Sequence, residues 1–173
     1  MRFSGKVALV AGGTGALGRA VSLAFQQEGA QVVVTYWKQE EFDVLKDAAP
    51  AGGLRLEGQR IDVTDEAAAS DLIAKAVARH ESLDVLVNAV GGYAGGTTLW
   101  ELEANALERM LALNLRSAYA LSRAGVRVML KQRRGAIVNV AAKAAFDHPR
   151  GAAAYAASKA AAVALLDSLA AEL

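Results

Sequence analysis

The sequence predicts an α/β domain, a doubly wound parallel sheet of five strands in spatial order 3-2-1-4-5 with helices on both faces. Short apolar runs alternate with longer helical patterns along the whole chain. The first, second and fourth runs are apolar rather than alternating, as strands buried on both faces must be, while the third, Leu54 to Ile61, alternates in part. A glycine-rich stretch joins the first run to the first helix, and the right-handed crossovers of successive βα units leave few other topologies.

Composition bounds the rest. With 173 residues, no cysteine and 54% hydrophobic residues, the chain reads as one domain spanning 1–173. A chain of this size buries roughly 70% of its unfolded surface. A net charge of +1 with 21% charged residues offers no basic stripe for nucleic acid. The basic cluster Lys131 to Arg134 reads as a solvated loop. No apolar run approaches the ~18 residues of a membrane helix. No charged-then-apolar leader precedes the first strand, so a soluble, cytoplasmic protein is expected. Absence of cysteine excludes disulfides and thiol catalysis, and no metal site is expected.

Lys6 to Val10 is the first apolar run, and it stops at Ala11-Gly12-Gly13-Thr14-Gly15-Ala16-Leu17-Gly18. A helix follows with Leu17, Ala20, Val21, Ala24 and Phe25 on one stripe, and Gly29 stands where a left-handed cap would end it. This strand, turn and helix aim the first helical N–H groups and the positive end of the dipole at whatever lies above the turn, which is a phosphate site. Glycine is required because a Cβ would hold an anion away from the backbone and forbid positive φ.

Gln31 to Thr35, with Val32-Val33-Val34, reads as strand two. In a dinucleotide fold an acid about 20 residues beyond the glycine turn takes the adenosine ribose hydroxyls, whereas a 2′-phosphate there wants positive charge. The tip here is Tyr36-Trp37-Lys38, with no acid before Glu40, which opens the next helix. NADP(H) is therefore favoured over NAD(H), with Lys38 as phosphate partner. Tyr36 and Trp37 are placed either to stack on adenine or to cover the sheet edge.

Pro50 to Gly53 makes a turn, and Leu54 to Ile61 is strand three, ending in Asp62-Val63-Thr64-Asp65. Either Asp62 or Thr64 can cap the helix Glu66 to Arg79, which presents Leu72, Ile73, Ala76 and Val77 on one side. Strand four, Leu83 to Asn88, runs into Asn88-Ala89-Val90-Gly91-Gly92-Tyr93, where consecutive glycines let a loop lie against a flat ligand. One long helix is expected from Glu103 to Leu130, with Leu107, Met110, Leu111, Asn114, Ala118, Leu121 and Val128 inward. Gly135 to Val140 is strand five. From Gly151 an alanine-rich helix carries Tyr155-Ala156-Ala157-Ser158-Lys159, and i, i+4 spacing stacks Tyr155 and Lys159 on one face.

These segments resemble the short-chain dehydrogenase/reductase family: Gly12 and Gly18 of its Gly-x-x-x-Gly-x-Gly turn, Asp62-Val63, Asn88 with Gly91, Asn114 and the Tyr155/Lys159 pair. Ala16 replaces the middle glycine, and only Asn88 and Gly91 remain of the usual Asn-Asn-Ala-Gly. The resemblance implies a Rossmann-like, three-layer α/β/α fold and an NAD(P)(H)-dependent oxidoreductase acting on a small carbonyl or activated acceptor. It places Gly12, Thr14, Gly15, Leu17 and Gly18 at the cofactor phosphates, Asp62 and Val63 at adenine, and Asn88 and Ala89 along the dinucleotide. It makes Tyr155 the acid/base, gives Lys159 the nicotinamide ribose, and gives Asn114 a helix kink and a water of the proton relay. It also implies a homodimer or homotetramer paired through the two long helices.

The chemistry asks for such a pair. A phenol of pKa ~10 is a poor base near neutrality, and lowering it by about three units takes ~4 kcal/mol, within reach of a close ammonium in a shielded place. The family's serine, thirteen residues before the tyrosine, is Ala142 here. A lost oxyanion-type donor commonly costs ~10²–10³ in rate. The runs from Gly12, Val90 and Ala142 further resemble dihydropteridine reductases, which also carry alanine there and reduce an activated pterin. Family members continue through two more strands and a substrate-covering segment, whereas this sequence stops at Leu173, a C-terminally truncated or naturally short form. Set against the oxidoreductase is a dinucleotide-binding protein without catalysis, a redox sensor or scaffold, which Ala142 and the early end favour.

Overall fold

The computed structural model describes residues 1–49 and 56–173. Its contacts divide the chain into one unit of Met1–Ala89 with Ala120–Val138 and a second of Val90–Tyr119 with Asn139–Leu173. The turn expected at Pro50 to Gly53 lies outside the described residues.

The strands are β1 (Val7–Ala11), β2 (Gln31–Tyr36), β3 (Leu56–Arg60), β4 (Val85–Asn88) and β5 (Ala136–Asn139), and they form one sheet in the order β3-β2-β1-β4-β5. This is the predicted order. β1 pairs in parallel with β2 and β4, and β2 with β3; Leu9 lies opposite Val33 on one side and Leu86 on the other. Every residue of β1 is buried, which is why its run shows no alternation.

In the first unit the helices are α1 (Ala16–Gln27), α2 (Gln39–Asp47) and α3 (Glu66–His80), with most of α5 (Ser117–Gln132). Ala8, Val10, Val32, Val34, Leu45, Leu56 and Val87 share one core, against which Val21, Phe25 and Phe42 pack. Leu45 is the buried residue of α2, and covering it contributes roughly 1.5–3 kcal/mol toward docking that helix.

The face of α1 differs from the expected stripe. Its buried residues are Gly18, Ser22 and Gln26, at i, i+4 and i+8, while Leu17 is exposed. Close approach to the glycine turn selects small residues there: a Cβ at Gly18 would collide with the backbone of Gly12 and Gly13. The Ser22 hydroxyl is satisfied by the Gly18 carbonyl at 2.7 Å. Gly29, at φ +92°, ends the helix as expected, and the next amide, Ala30 N, returns to Phe25 O at 3.0 Å.

The cap of α3 is Asp65, whose carboxylate accepts from the amides of Ala67 and Ala68 at 2.8 and 3.0 Å. Asp62 accepts instead from the amide and hydroxyl of Thr64, which leaves neither residue as the cap. Behind β4, the buried carboxylate of Asp84 accepts from Val7 N, Ser82 Oγ, Lys6 Nζ and Arg134 Nε at 3.0–3.2 Å. It ties together residues before β1, β4 and β5. Burial alone would raise its pKa, but the Val7 amide, Lys6 and Ser82 together hold it below the usual carboxylate value.

The second unit holds the loop after β4, a 3₁₀ turn at Leu99–Glu101, α4 (Ala104–Met110), the start of α5, the short α6 (Ala144–Asp147) and α7 (Ala153–Glu172). The single helix expected from Glu103 to Leu130 is interrupted. Leu111–Arg116 is a π-helical segment between α4 and α5, with Asn114 as its buried residue. Farther along, Met129 is buried where Val128 was expected. No helix among the described residues is long and apolar enough to cross a membrane.

Candidate functional site

The glycine turn of the first unit is held from strand two. Gly12 N donates to Thr35 Oγ1 at 2.9 Å and Gly13 N to Thr35 O at 3.1 Å. Sequence reasoning passed over Thr35; its signal is a hydroxyl among valines on an otherwise apolar strand. Gly12 has φ +71°, a backbone conformation that glycine adopts without cost. Gly15 is the N-cap of α1 and has no side chain to cap with. The helix's first bond runs from Arg19 N to Gly15 O, leaving the amides of Ala16, Leu17 and Gly18 without helical acceptors. An uncapped helix N-terminus beside a glycine turn fits a diphosphate, and Thr14, Gly15 and Leu17 stand at its open side.

At the end of β2 the expected residues divide. Tyr36 stacks on Phe42, with ring centroids 4.8 Å apart and planes within 6°, and donates its hydroxyl to Gln39 Oε1 at 2.8 Å. The Tyr36 ring is thus engaged on one face by α2. Trp37 is 62% exposed. Lys38 lies 3.8 Å from Glu41, and the same carboxylate accepts from Thr14 Oγ1 at 3.1 Å. An acid thus reaches the glycine turn from α2, a residue the sequence reading did not single out. Asp62 is exposed and Val63 buried beyond β3, while Asn88 is buried at the end of β4 and Ala89 N bonds Ala11 O at 3.0 Å.

The second unit assembles the other expected residues. Asn114 accepts from Gly92 N and donates to Gly92 O, both at 3.0 Å, and its Nδ2 lies 3.0 Å from Ser158 Oγ. Ser158 in turn donates to Tyr155 O at 2.8 Å, so its hydroxyl is committed inside the helix packing and is no stand-in for the donor missing at Ala142. Lys159 is buried and donates to Val140 O at 2.7 Å. Burial lowers its pKa. A Cβ at Gly91 would come within 2.8 Å of Asn114 Oδ1 and 3.3 Å of Lys159 Nζ, so these groups converge on a spot that glycine alone leaves open.

Tyr155 is half-buried on the same face of α7, one turn before Lys159. Its ring packs edge-on against Tyr93 at a centroid distance of 5.0 Å. Tyr93 was quoted in the glycine loop without a role; an aromatic between glycines was its only signal. The arrangement places a phenol and a fixed cation on one helix, suited to moving a proton.

With this geometry in hand, the comparisons are specific. The model of the short chain dehydrogenase family matches residues 6–173. A 3-oxoacyl-(acyl-carrier-protein) reductase FabG of Thermotoga maritima is 31% identical over 173 residues, covering 100% of this chain and 70% of that protein. The crystal structure of an NAD+-bound xylitol dehydrogenase superposes with a TM-score of 0.94 at 28% identity, over 99% of this chain and 66% of that one. A short-chain dehydrogenase/reductase from Serratia marcescens gives a TM-score of 0.90 at 32% identity, over 100% and 70%. The chain therefore spans about two thirds of the length of such relatives.

Proposed function

The chain belongs to the short-chain dehydrogenase family, and on that footing we propose that it moves hydride between NAD(P)(H) and a small carbonyl or activated acceptor, with Tyr155 as acid/base. The observation that carries the reading is Lys159. Its ammonium is buried and pinned to Val140 O one helical turn beyond Tyr155. A fixed cation beside a phenol favours the phenolate, and binding alone would need no phenol there.

The dinucleotide, when bound, supplies or takes the hydride. Tyr155 gives the carbonyl oxygen its proton in reduction and takes it back in oxidation, and solvent restores the phenol. Lys159 stands one helical turn beyond Tyr155 on the same face, its amine held by Val140 O. Asn114 fixes the Gly92 loop and Ser158, and through Ser158 the turn of α7 that bears Tyr155. With alanine at 142 no hydroxyl there polarises the substrate oxygen, so quinones, quinonoid pterins and α-dicarbonyls should be reduced faster than simple ketones.

NADP(H) over NAD(H) is part of the proposal, supported by Lys38 and by the absence of an acid at Tyr36. The Lys38–Glu41 pair is mostly exposed and worth at most ~1 kcal/mol, which a dianionic 2′-phosphate outcompetes. A homodimer or homotetramer is proposed too, resting on the small residues along α7, and sedimentation at tens of micromolar protein tests it.

The deciding experiment is Tyr155→Phe. Turnover of an α-dicarbonyl should vanish while cofactor affinity, titrated by fluorescence, stays within about threefold, ~0.7 kcal/mol. If wild type and variant bind dinucleotide alike and neither oxidises it with any activated acceptor, the chain binds without catalysing, the reading that Ala142 favours.

A further inference from the structure

A cavity of about 350 Å³ opens within the second unit, lined by the loop after β4, by α4 and by the start of α7. Its wall presents more polar than apolar surface: small residues such as Ala106 and Ala154 sit beside Leu102, and the polar side chains are Tyr93, Thr97 and Arg109. The volume lies within the ordinary range for a small-molecule site. Arg109 is the charged residue of the described lining, and no carboxylate shares that lining. Its guanidinium enters no hydrogen bond or ion pair among the described residues. Elsewhere in the chain arginines do find carboxylates, as Arg79 does at Glu57 and Arg123 at Glu66. Tyr93 belongs both to this wall and to the edge-on contact with Tyr155, so an occupant of the cavity adjoins the neighbour of the proposed acid/base.

We propose that the substrate is a carbonyl compound bearing a carboxylate, with the carboxylate taken by Arg109 in this cavity and the carbonyl turned toward Tyr155. This rests on the oxidoreductase reading above and names the substrate class for it. A guanidinium presents paired N–H donors that match the two oxygens of a carboxylate, a charge-assisted pair that a point charge cannot reproduce. The step balances without a further reactant: the reduced dinucleotide gives hydride to the carbonyl carbon, Tyr155 gives a proton to the oxygen, and a hydroxy acid leaves.

The test uses a 1,2-diketone carrying a carboxylate at the end of a saturated arm, together with its methyl ester, so that the reacting carbonyls are electronically alike. For the wild-type chain kcat/KM should favour the acid over the ester by about tenfold or more, a typical margin for a charge-assisted pair. In Arg109→Gln the ratio should fall to near one, and Arg109→Lys should restore part of it. A ratio near one in the wild type, or the same ratio in Arg109→Gln, overturns the inference and leaves the oxidoreductase reading intact. If neither compound is turned over, equilibrium binding of the two decides. Tighter binding of the acid that disappears in Arg109→Gln keeps the anion site while the oxidoreductase reading fails, and equal binding of acid and ester ends both.

Discussion

Asn114 grips Gly92 by both ends of its backbone, accepting from the amide and donating to the carbonyl at 3.0 Å each, from a side chain that is 1% exposed. The primary amide is the side chain suited to this, because it carries a donor and an acceptor in the spacing of a peptide. Replacement by leucine keeps the branched skeleton with bulkier methyls, leaves both Gly92 groups without their partner and takes one donor from Ser158, which still bonds Tyr155 O. The expected cost is about 2–4 kcal/mol, read as a lower urea midpoint at unchanged m-value. A loss below 1 kcal/mol would mean that water or neighbouring backbone replaces the amide.

Gly18→Ala should fail twice. The new methyl meets backbone atoms of Gly12 and Gly13, which cannot swing aside as a side chain can. Relief requires α1 to move off the turn, so stability should fall by about 1–3 kcal/mol and dinucleotide affinity by at least about tenfold. Gly15→Ala is the control for the steric cost alone, since its Cβ would find only Gly12 O at 3.5 Å, and thermal melts of the two variants without cofactor compare them.

Glu41 holds Lys38 and Thr14 where the adenosine ribose is proposed to lie. Glu41→Gln removes a charge that would repel a 2′-phosphate and frees Lys38 for it. At this exposure the gain is about 1 kcal/mol, so the affinity ratio of NADPH to NADH should rise about fivefold. Parallel fluorescence titrations of both reduced cofactors measure it. A ratio that falls instead would assign Glu41 to the phosphate's side of the balance.

Asp84 has a lowered pKa in the folded chain, so it binds a proton more weakly there than when unfolded. Its stabilisation is fully present above the unfolded value of ~3.9 and is lost as pH falls through the folded value below it. The wild type should therefore lose stability more steeply than Asp84→Asn between about pH 5 and pH 3. At pH 7 the variant should be weaker by about 1–2 kcal/mol, because Lys6 and Arg134, both solvent-exposed, lose a charge-assisted acceptor. Urea denaturation across pH checks both, and parallel acid slopes would rule out Asp84 as their source.

Much of the fold was legible because β1, β2 and β4 are buried on both faces, so runs such as Val32-Val33-Val34 announce themselves without any partner. The glycine turn and the Tyr155/Lys159 spacing were legible for the same reason: each is a local pattern. Periodicity failed on α1, where contact with a turn selects Gly18 and Ser22 and the buried row continues to Gln26, residues a hydrophobic stripe skips over. It failed again at Leu111–Arg116, since a π segment adds a residue without altering composition. The Tyr36–Phe42 stack, the reach of Glu41 to Thr14 and the cavity at Arg109 depend on side chains brought together by folding, which no spacing rule encodes.

The π segment carries one residue more than an α-helix would need to cover the same arc. That surplus makes Leu111–Arg116 the place where the chain can be shortened by one without ending a helix. Deleting Ala112 would leave regular α-helix from α4 into α5 and remove the widened turn from which Asn114 reaches Gly92 and Ser158. A single-codon deletion here acts locally: the helix on either side keeps its phase, and the amide that clamps the glycine loop loses the turn that aims it.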